Sequence, residues 1–208
     1  MSKISNRQLE RYPIYLKYLL SVRNEYNNVS APMIASALGL SIEQVRKDIQ
    51  IVSVREGKPN QGRNVNELID DIQRFLGYDS LDDAVVIGVG HLGKAFLNYK
   101  GFKEFGLSIV AGFDIDTNLI NTKINNIVIY DLYSLNSVIS QLHAKIAILC
   151  VPSDVAQQVT NRLVNCGIKA IWNFVPVHLD VPEDVVIENV NLASSLAILS
   201  HRLNKKGD

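Results

Sequence analysis

The chain has little of three features: cysteine, net charge and long apolar runs. Their scarcity argues against a cysteine-based metal site, a strongly basic nucleic-acid-binding protein and a membrane-spanning protein, respectively. Only Cys150 and Cys166 occur among its 208 residues, without C-x-x-C or metal-ligand spacing, so we expect two buried, reduced thiols. The 21 basic and 21 acidic side chains cancel, and bulk charge therefore does not indicate a nucleic-acid partner. No apolar run reaches membrane-spanning length and the first residues lack the pattern of a signal peptide, which predicts a soluble cytoplasmic protein.

A glycine-rich motif between two apolar runs is the most informative feature that is present. Residues 84–87 are apolar and predict a buried parallel strand, which leads directly into Gly88-Val89-Gly90-His91-Leu92-Gly93. In this G-x-G-x-x-G pattern the first glycine permits a tight turn, the second lets the backbone approach a pyrophosphate, and the third lets the next helix pack closely. The helix that begins near His91 would direct its free N–H groups at the pyrophosphate.

An acidic residue follows the second apolar run. Residues 107–113 predict another strand, which ends at Asp114, and a carboxylate there can accept hydrogen bonds from the adenosine ribose hydroxyls while it repels a 2′-phosphate. The following Asp116-Thr117-Asn118 offers no Arg or Lys to an extra phosphate, so the pattern favours NAD(H) over NADP(H). The alternative is a Rossmann-like domain that has lost its nucleotide.

Strands and helices alternate over the rest of the C-terminal half. We predict strands at residues 127–130, 145–151, 170–174 and 185–188, and helices at 132–142 and 154–165. This α/β alternation predicts a doubly wound parallel sheet with its ligand at the carboxyl ends of the strands. Val151, Pro152 and Phe174 follow such ends and could wall the nicotinamide half of a cofactor.

The N-terminal eighty residues predict a helical module. Helices are expected at about residues 13–26, 31–38, 42–51 and 65–76, and the second and third are joined by a short turn at Gly39, as in a helix-turn-helix. The third would expose Gln44, Arg46, Lys47 and Gln50, side chains that reach phosphates and base edges. An ordinary helical hairpin with a solvated face remains the alternative, because Glu43 and Asp48 lie on the same helix.

A basic segment follows this helix. Residues 52–64 predict a strand and then a turn rich in Gly, Pro and Asn, with Arg55, Lys58 and Arg63 against a single Glu56. A hairpin wing with basic tips beside a recognition helix commonly contacts the DNA backbone or minor groove. A solvated loop is the alternative.

The last predicted helix, residues 191–204, has an apolar stripe that packs either on its own domain or on another subunit.

The sequence offers little for catalysis. An NAD-dependent dehydrogenase needs a general acid or base and commonly a second domain for substrate. None of His91, His143, His178 and His201 has a carboxylate at an evident catalytic spacing. Cofactor binding without turnover is therefore favoured over catalysis, and metal binding is not expected.

With these features together, the sequence resembles the Rex family of redox-sensing transcriptional repressors over nearly its whole length. The matching segments are Gln44-Val45-Arg46-Lys47-Asp48, Gly88-Val89-Gly90-His91-Leu92-Gly93, Asn98-Tyr99, Phe113-Asp114-Ile115-Asp116, Val151-Pro152, Gly167-Ile168-Lys169, Asn173-Phe174-Val175-Pro176 and Glu188-Asn189-Val190. The resemblance implies a homodimer with a winged-helix DNA-binding domain (residues 1–80), a Rossmann NAD(H)-binding domain (81–190) and a C-terminal helix (191–208) swapped onto the partner. It also implies binding to palindromic operators, release by NADH and competition by NAD⁺.

Two departures from the family pattern bear on function. Residues 49–65 replace the family's Tyr-Phe-Gly stretch and its wing rich in Gly and Arg. The family's switch pairs an Arg of the first long helix with an Asp that opens the C-terminal helix, and a Rossmann Tyr takes that Asp in the other state; Lys17, Asn191 and Tyr99 align here. Since Asn cannot form the ion pair, redox coupling could be altered. Three hypotheses result: a redox-responsive repressor, a diverged paralogue that binds NAD(H) with altered or lost DNA recognition, and a small NAD-dependent oxidoreductase.

Overall fold

The computed structural model describes residues 4–54, 62–78, 80 and 82–205. The chain divides into two compact units, Met1–Ser80 and Leu81–Asp208.

The first unit is mainly helical. Its elements are α1 (Asn6–Leu9), α2 (Tyr12–Val22), β1 (Asn28–Val29), α3 (Ala31–Leu38), α4 (Ile42–Val52), β2 (Arg63–Asn64) and α5 (Val65–Leu76). β1 and β2 pair antiparallel. The helices bury one continuous apolar core, to which α2 contributes Tyr12, Leu16 and Leu19. The short helix α1 was not predicted from sequence, although the Ser5 and Gln8 side chains form a capping box at its start.

Two predicted boundaries in this unit are wrong. Helix α2 ends at Val22 rather than near Tyr26, and the Tyr26 N–H closes a turn on the Val22 carbonyl at 3.0 Å. Val52 was assigned to a strand but is the last residue of α4, because Val45, Ile49 and Val52 form one buried stripe at helical spacing.

The second unit is a seven-stranded sheet between helices. Its strands are β3 (Asp82–Ile87), β4 (Leu107–Asp114), β5 (Lys123–Ile124), β6 (Ile127–Asp131), β7 (Ile146–Leu149), β8 (Ala170–Asn173) and β9 (Val186–Asn189), and its helices are α6 (His91–Asn98), α7 (Leu135–Leu142), α8 (Ala156–Asn165) and α9 (Leu192–Asn204). The strand order is β5-β6-β4-β3-β7-β8-β9, and only β5 is antiparallel to its neighbour. The predicted doubly wound parallel sheet is confirmed, and the chain reverses its direction of winding between β3 and β7.

Both faces of this sheet are buried. Val85 and Ile87 of β3 lie in a core with α7 and α8, whereas Val86 between them lies in a second core with Leu97 of α6. Successive side chains of a strand point to opposite faces, so an unbroken apolar run is what a strand covered on both sides requires.

Local turn chemistry accounts for the remaining differences from the predicted elements. The short strand β5 was missed, and it joins β6 through Asn125 and Asn126, both with positive φ, as in a two-residue hairpin turn. Residues 132–134 form a 3₁₀ turn before α7. Helix α8 begins at Ala156 rather than Asp154, since the Val155 N–H closes a turn on Pro152.

In the part of the chain that the structure describes, no helix has the length and apolar character needed to cross a membrane.

Candidate functional site

Gly88 makes the turn that follows β3. Its φ is +89°, and a Cβ there would lie 2.6 Å from the Cys150 carbonyl oxygen. Its N–H donates to the Phe113 carbonyl at 2.9 Å. A side chain at this position is therefore excluded both by backbone conformation and by the adjacent end of β7. The turn lies where the two halves of the sheet diverge.

The other two glycines of the motif have opposite surroundings. A Cβ on Gly93 would collide with the Gly88 carbonyl, so that this glycine allows α6 to pack against the turn. A Cβ on Gly90, in contrast, would meet no described atom within 4 Å. Gly90 precedes α6, and in the described structure no side chain caps the helix at that end. The start of α6 thus has no capping side chain and has open space beside Gly90, an arrangement suited to an anionic group.

Asp114 ties the glycine turn to the end of β4. One carboxylate oxygen accepts from the Val89 N–H at 2.5 Å, and the other accepts from the Ile115 and Asp116 N–H groups at 2.7 and 2.9 Å. A carboxylate has about four acceptor positions, and three are used by the backbone. The side chain therefore has one position left for a ligand and an additional structural role that the sequence pattern did not reveal.

A cleft of about 300 Å³ opens beside Asp114. It is lined by Gly88, Asp114, Ile115, Leu132, Tyr133, Val151, Pro152, Val155, Gln158, Val159 and Arg162. The predicted residues Val151 and Pro152 thus share one cleft with Gly88 and Asp114. The sequence did not predict Tyr133 and Arg162: the guanidinium carbon lies 5.7 Å from the ring centroid, and the guanidinium donates to the Leu132 carbonyl at 2.8 Å. A carboxylate, an exposed ring and apolar walls are suited to a nucleoside.

Phe174 occupies different surroundings from the other predicted cofactor residues. Its ring packs on Phe96 at 4.7 Å and on Trp172 at 4.9 Å, on the α6 face of the sheet. Its N–H donates to the Leu149 carbonyl at 3.1 Å, which places its backbone at the end of β7. Its assignment to the nicotinamide half stays a prediction.

In the first unit, α3 and α4 form the predicted helix-turn-helix. Gly39 ends α3 in the left-handed conformation with φ +66°, the Leu40 N–H donates to the Ala35 carbonyl, and the Ser41 hydroxyl caps α4 through the Gln44 N–H. Arg46, Lys47 and Gln50 are exposed on α4, whereas Gln44 is half-buried.

The Lys47 ammonium lies 3.1 Å from Glu43, one turn earlier on α4, and both side chains are exposed. Such an exposed pair contributes only about 0.3–0.5 kcal/mol, so Lys47 can leave it readily for a phosphate. Of the predicted basic segment, Arg63 is half-buried in β2, paired with Val29 of β1. Arg55 and Lys58 lie outside the described residues.

The sequence did not reveal the role of Asp48, which was named only in the alternative of a helical hairpin with a solvated face and in a segment that matches the family. Its side chain is buried, and it accepts hydrogen bonds from Arg11, Tyr15 and Gln8 at 2.7–3.1 Å. Burial alone would raise the pKa of the Asp48 carboxyl, but the hydrogen bonds of Arg11, Tyr15 and Gln8 outweigh it and the pKa lies below its ordinary value. The spacing of Arg11 and Tyr15, four residues apart on one helix face, was the available signal.

The three residues aligned with the family's switch have these surroundings. Lys17 is exposed on α2. The Asn191 side chain accepts from the Ser194 N–H at 3.0 Å and caps α9. The Tyr99 ring packs edge-on against Phe102 at 4.8 Å, and its hydroxyl lies over Gly101.

The two cysteines and the His178–Asp180 pair offer little for catalysis. Burial raises the pKa of the Cys150 thiol to about 12 and, to a smaller extent, that of Cys166, so neither is a reactive thiolate at neutral pH. His178 lies 3.4 Å from Asp180, but both side chains are almost fully exposed and neither lines the cleft beside Asp114.

Comparisons with known proteins give matches in both units of the chain. A family model described as "Putative DNA-binding protein N-terminus" matches residues 3–49, and one described as "CoA binding domain" matches residues 79–177. The redox-sensing transcriptional repressor Rex of Caldanaerobacter subterraneus subsp. tengcongensis is 38% identical over 96% of this chain and 88% of its own length. The Rex of Bacteroides thetaiotaomicron is 38% identical over 98% of this chain and 92% of its own length.

Solved structures give the same result. The crystal structure of RSP in complex with β-NAD⁺ and operator DNA has a TM-score of 0.92 and 36% identity, covering 100% of this chain and 95% of the other. RSP in complex with β-NADH has a TM-score of 0.86 and 35% identity, covering 100% and 97%.

Proposed function

Because this chain belongs to the Rex family of redox-sensing transcriptional repressors, we propose that it binds operator DNA as a homodimer and releases it when NADH binds. The observation that carries the proposal is that one chain contains two features. The first is a glycine turn that leads into α6 and is hydrogen-bonded to Asp114, and the second is the exposed recognition helix α4. RSP, similar over this whole chain, has been crystallised with NAD⁺ and operator DNA and with NADH.

The two units divide this task. Residues 1–80 form the winged-helix DNA-binding domain, residues 81–190 the Rossmann NAD(H)-binding domain, and residues 191–208 a helix that is exchanged between subunits. In support of the exchange, α9 leaves Leu192, Leu196, Leu199 and Leu203 between 63% and 71% exposed. A stripe of this kind is stable in water only when another surface covers it.

Operator contacts come from the exposed side of α4 and the wing. Arg46, Lys47 and Gln50 reach bases or phosphates, and Gln44 lies at the start of the same helix. Arg55, Lys58 and Arg63 provide cations to the DNA backbone or minor groove.

The nucleotide is held by the glycine turn and the cleft beside it. The backbone of Gly88, Val89, Gly90, His91, Leu92 and Gly93 surrounds the pyrophosphate, Asp114 receives a ribose hydroxyl, and Val151, Pro152 and Phe174 line the rest of the site. The Asp114 carboxylate disfavours ligands with a phosphorylated adenosine ribose, such as NADP(H) and coenzyme A. NADH and NAD⁺ are therefore the cofactors, and NADH acts as a signal without being consumed.

The switch requires that NADH bind the DNA-released state better than the DNA-bound state. Lys17, Tyr99 and Asn191 are the residues assigned to it by alignment with the family. Because Asn191 carries no charge and caps α9, it supplies a neutral hydrogen bond where the family has an ion pair, and a smaller response to NADH follows. A cytoplasmic location accords with a transcription factor.

The test uses the full-length protein and duplexes that it enriches from a randomised pool in the presence of NAD⁺. We expect NADH to raise the dissociation constant for the selected duplex, and NADPH or coenzyme A at the same concentration to leave it unchanged. Fluorescence anisotropy of labelled DNA measures this directly.

Three other results would each contradict the proposal in a different way. Enrichment of no duplex would leave the protein without an operator. Unchanged DNA affinity, with NADH binding seen by calorimetry, would indicate the diverged paralogue. Steady consumption of NADH with small carbonyl compounds would indicate an oxidoreductase.

A further inference from the structure

The buried carboxylate of Asp48 connects the recognition helix α4 to side chains of α1 and α2. It is 1% exposed and accepts from Gln8 Nε2 at 3.1 Å, from Arg11 Nε and Nη2 at 2.7 and 2.9 Å, and from the Tyr15 hydroxyl at 2.7 Å. The Tyr12 hydroxyl donates to the Asp48 backbone carbonyl at 3.0 Å. These donors come from α1, from α2 and from Arg11 between them, and Arg11 is fixed in position relative to α4 by two charge-assisted hydrogen bonds to Asp48.

Arg11 extends from this cluster to the preceding turn of α4, where Gln44 lies. The Gln44 amide is satisfied in only one orientation, in which its oxygen faces the guanidinium, accepts from Arg11 Nη1 at 3.1 Å and lies 2.9 Å from Nε, whose single hydrogen is donated to Asp48. The reverse orientation would direct the amide NH₂ at the guanidinium, donor against donor. Arg11 Nη1 also donates to the Arg7 carbonyl at 2.8 Å, which further restricts the guanidinium.

The position of Arg11 therefore decides what Gln44 can offer to DNA. A free glutamine presents an acceptor and two donors together, and this combination pairs with the N7 and N6 amino group of adenine. Gln44 is half-buried and its oxygen is occupied, whereas its neighbours Arg46 and Lys47 are exposed. Only the two N–H donors of Gln44 remain for a ligand. Gln44, Arg11 and Lys47 line a common groove of about 330 Å³ at the start of α4.

We propose that Gln44 contacts the operator only as a hydrogen-bond donor and that Arg11 is its positioning residue. This inference rests on the proposed DNA-binding function. Gln44 recognises a hydrogen-bond acceptor, either a base edge such as guanine N7 or O6 or thymine O4, or a phosphate oxygen. It does not read the amino group of adenine. The specificity of this position is thus set by a residue of another helix that itself need not contact DNA.

The experiment combines two protein variants with analogues placed along a duplex that the full-length protein has selected. Gln44→Met removes the amide while leaving the Asp48 contacts in place. Gln73→Met, which removes a half-buried amide of α5 to which no DNA contact is assigned, is the matched control. At each position the duplex carries a 7-deazapurine, a purine without its amino group, a thymine analogue without O4, or a methylphosphonate. The position at which Gln44→Met and the wild type respond differently is the Gln44 contact.

At that position, loss of an acceptor should weaken wild-type binding about tenfold and leave Gln44→Met unaffected. The base analogues and the methylphosphonate distinguish a base acceptor from a phosphate oxygen. Loss of the adenine amino group should affect neither protein. Arg11→Lys keeps a cation beside Asp48 but lacks the guanidinium that faces the Gln44 oxygen. The amide is then free to turn, and sensitivity to the adenine amino group should appear.

Two results overturn the inference: a tenfold loss for the wild type, but not for Gln44→Met, when the adenine amino group is removed, or equal binding of Gln44→Met and the wild type to every duplex. Circular dichroism and thermal unfolding at equal concentration identify any variant that loses binding by unfolding. Failure of the wild type to enrich any duplex is a different result, since it contradicts the proposed function itself.

Discussion

Individual side chains in this protein often have a structural task beside the functional one that their position suggests. Asp114 was assigned to ribose recognition by its place after the second strand, yet three backbone N–H groups already bind its carboxylate. Asp48 was placed on a solvated face only in the alternative interpretation of α4, and the structure buries it among donors. For variants of Asp114 and Asp48, both the stability of the protein and its binding affinity must therefore be measured.

Replacement of Asp114 by Ala should weaken NADH binding by about 1–3 kcal/mol, because a ribose acceptor is lost and the glycine turn is no longer held to β4. Isothermal titration calorimetry measures the affinity, and the thermal midpoint should fall as well because the Val89 N–H loses its partner. The control is Asp116→Asn, whose carboxylate turns back onto Asn118 outside the cleft. An NADH dissociation constant that is the same for wild type and Asp114→Ala would show the ribose assignment to be wrong.

Replacement of Asp48 by Asn should lower the free energy of unfolding at pH 7 by on the order of 2 kcal/mol, since buried donors lose a charged acceptor. The folded-state pKa of Asp48 lies below the unfolded value of about 3.9, so its contribution is complete above that value and is lost as pH falls through the folded pKa. The difference between wild type and variant should therefore be constant from pH 6 to 8 and shrink towards pH 3.

Denaturant unfolding at these pH values measures this difference. Asp184→Asn is the matched control, because Asp184 pairs with Lys169 at an exposed site and its loss should have no measurable effect at pH 7. A wild-type advantage over Asp48→Asn that grows on acidification would contradict the assigned direction of the pKa.

Helices and strands bring these residues together through close backbone approaches. The turn after β3 is possible because Gly88 and Gly93 leave space for each other and for the end of β7. Gly90 differs, because the space beside it is open and its φ of −70° suits any residue. The same motif thus contains two glycines that the fold requires and a third, Gly90, that the described fold does not require.

Gly90→Ala should leave the thermal midpoint of the protein without nucleotide unchanged and weaken NADH binding at least tenfold, because a methyl group would occupy the space of the pyrophosphate. Gly93→Ala should instead lower the free energy of unfolding by about 1–3 kcal/mol, because its methyl group meets the Gly88 carbonyl. Calorimetric binding and thermal unfolding on both variants make the comparison. Equal effects of the two substitutions on stability would contradict this division of roles.

Helix α9 is not buried against the rest of its own unit, and its apolar side chains are available to another subunit. Along its described length it has no buried residue, and Leu196 and Leu199 lie on one exposed stripe. The double variant Leu196→Glu, Leu199→Glu should convert the dimer to a monomer, as measured by sedimentation velocity at micromolar concentration. Ser194→Glu on the same helix adds one charge on the face opposite the stripe and should remain dimeric. A dimeric double variant would place the interface elsewhere.

At the scale of the whole molecule, the function proposed for this member of the Rex family requires that its DNA site and its nucleotide site influence each other. Thermodynamic linkage requires that the effect be reciprocal. If saturating NADH raises the dissociation constant for the selected duplex tenfold, then saturating duplex must raise the NADH dissociation constant tenfold. Calorimetry with and without bound DNA measures the second value. Factors that differ beyond error would mean that DNA release by NADH has another cause, such as dissociation of the dimer.

The linear sequence was sufficient to predict the alternation of strands and helices, the glycine turn, Asp114 at the end of its strand and the helix-turn-helix around Gly39. These features are encoded by neighbours a few residues apart, through hydrophobic periodicity, capping side chains and glycine conformation. Only the tertiary structure revealed that Asp48 is buried, that Arg11 faces Gln44 across 33 residues of chain, and that Arg162 and Tyr133 line the cleft beside Asp114. These contacts join residues far apart in the chain, and no local pattern specifies which distant partner a polar side chain will meet once the cores have packed.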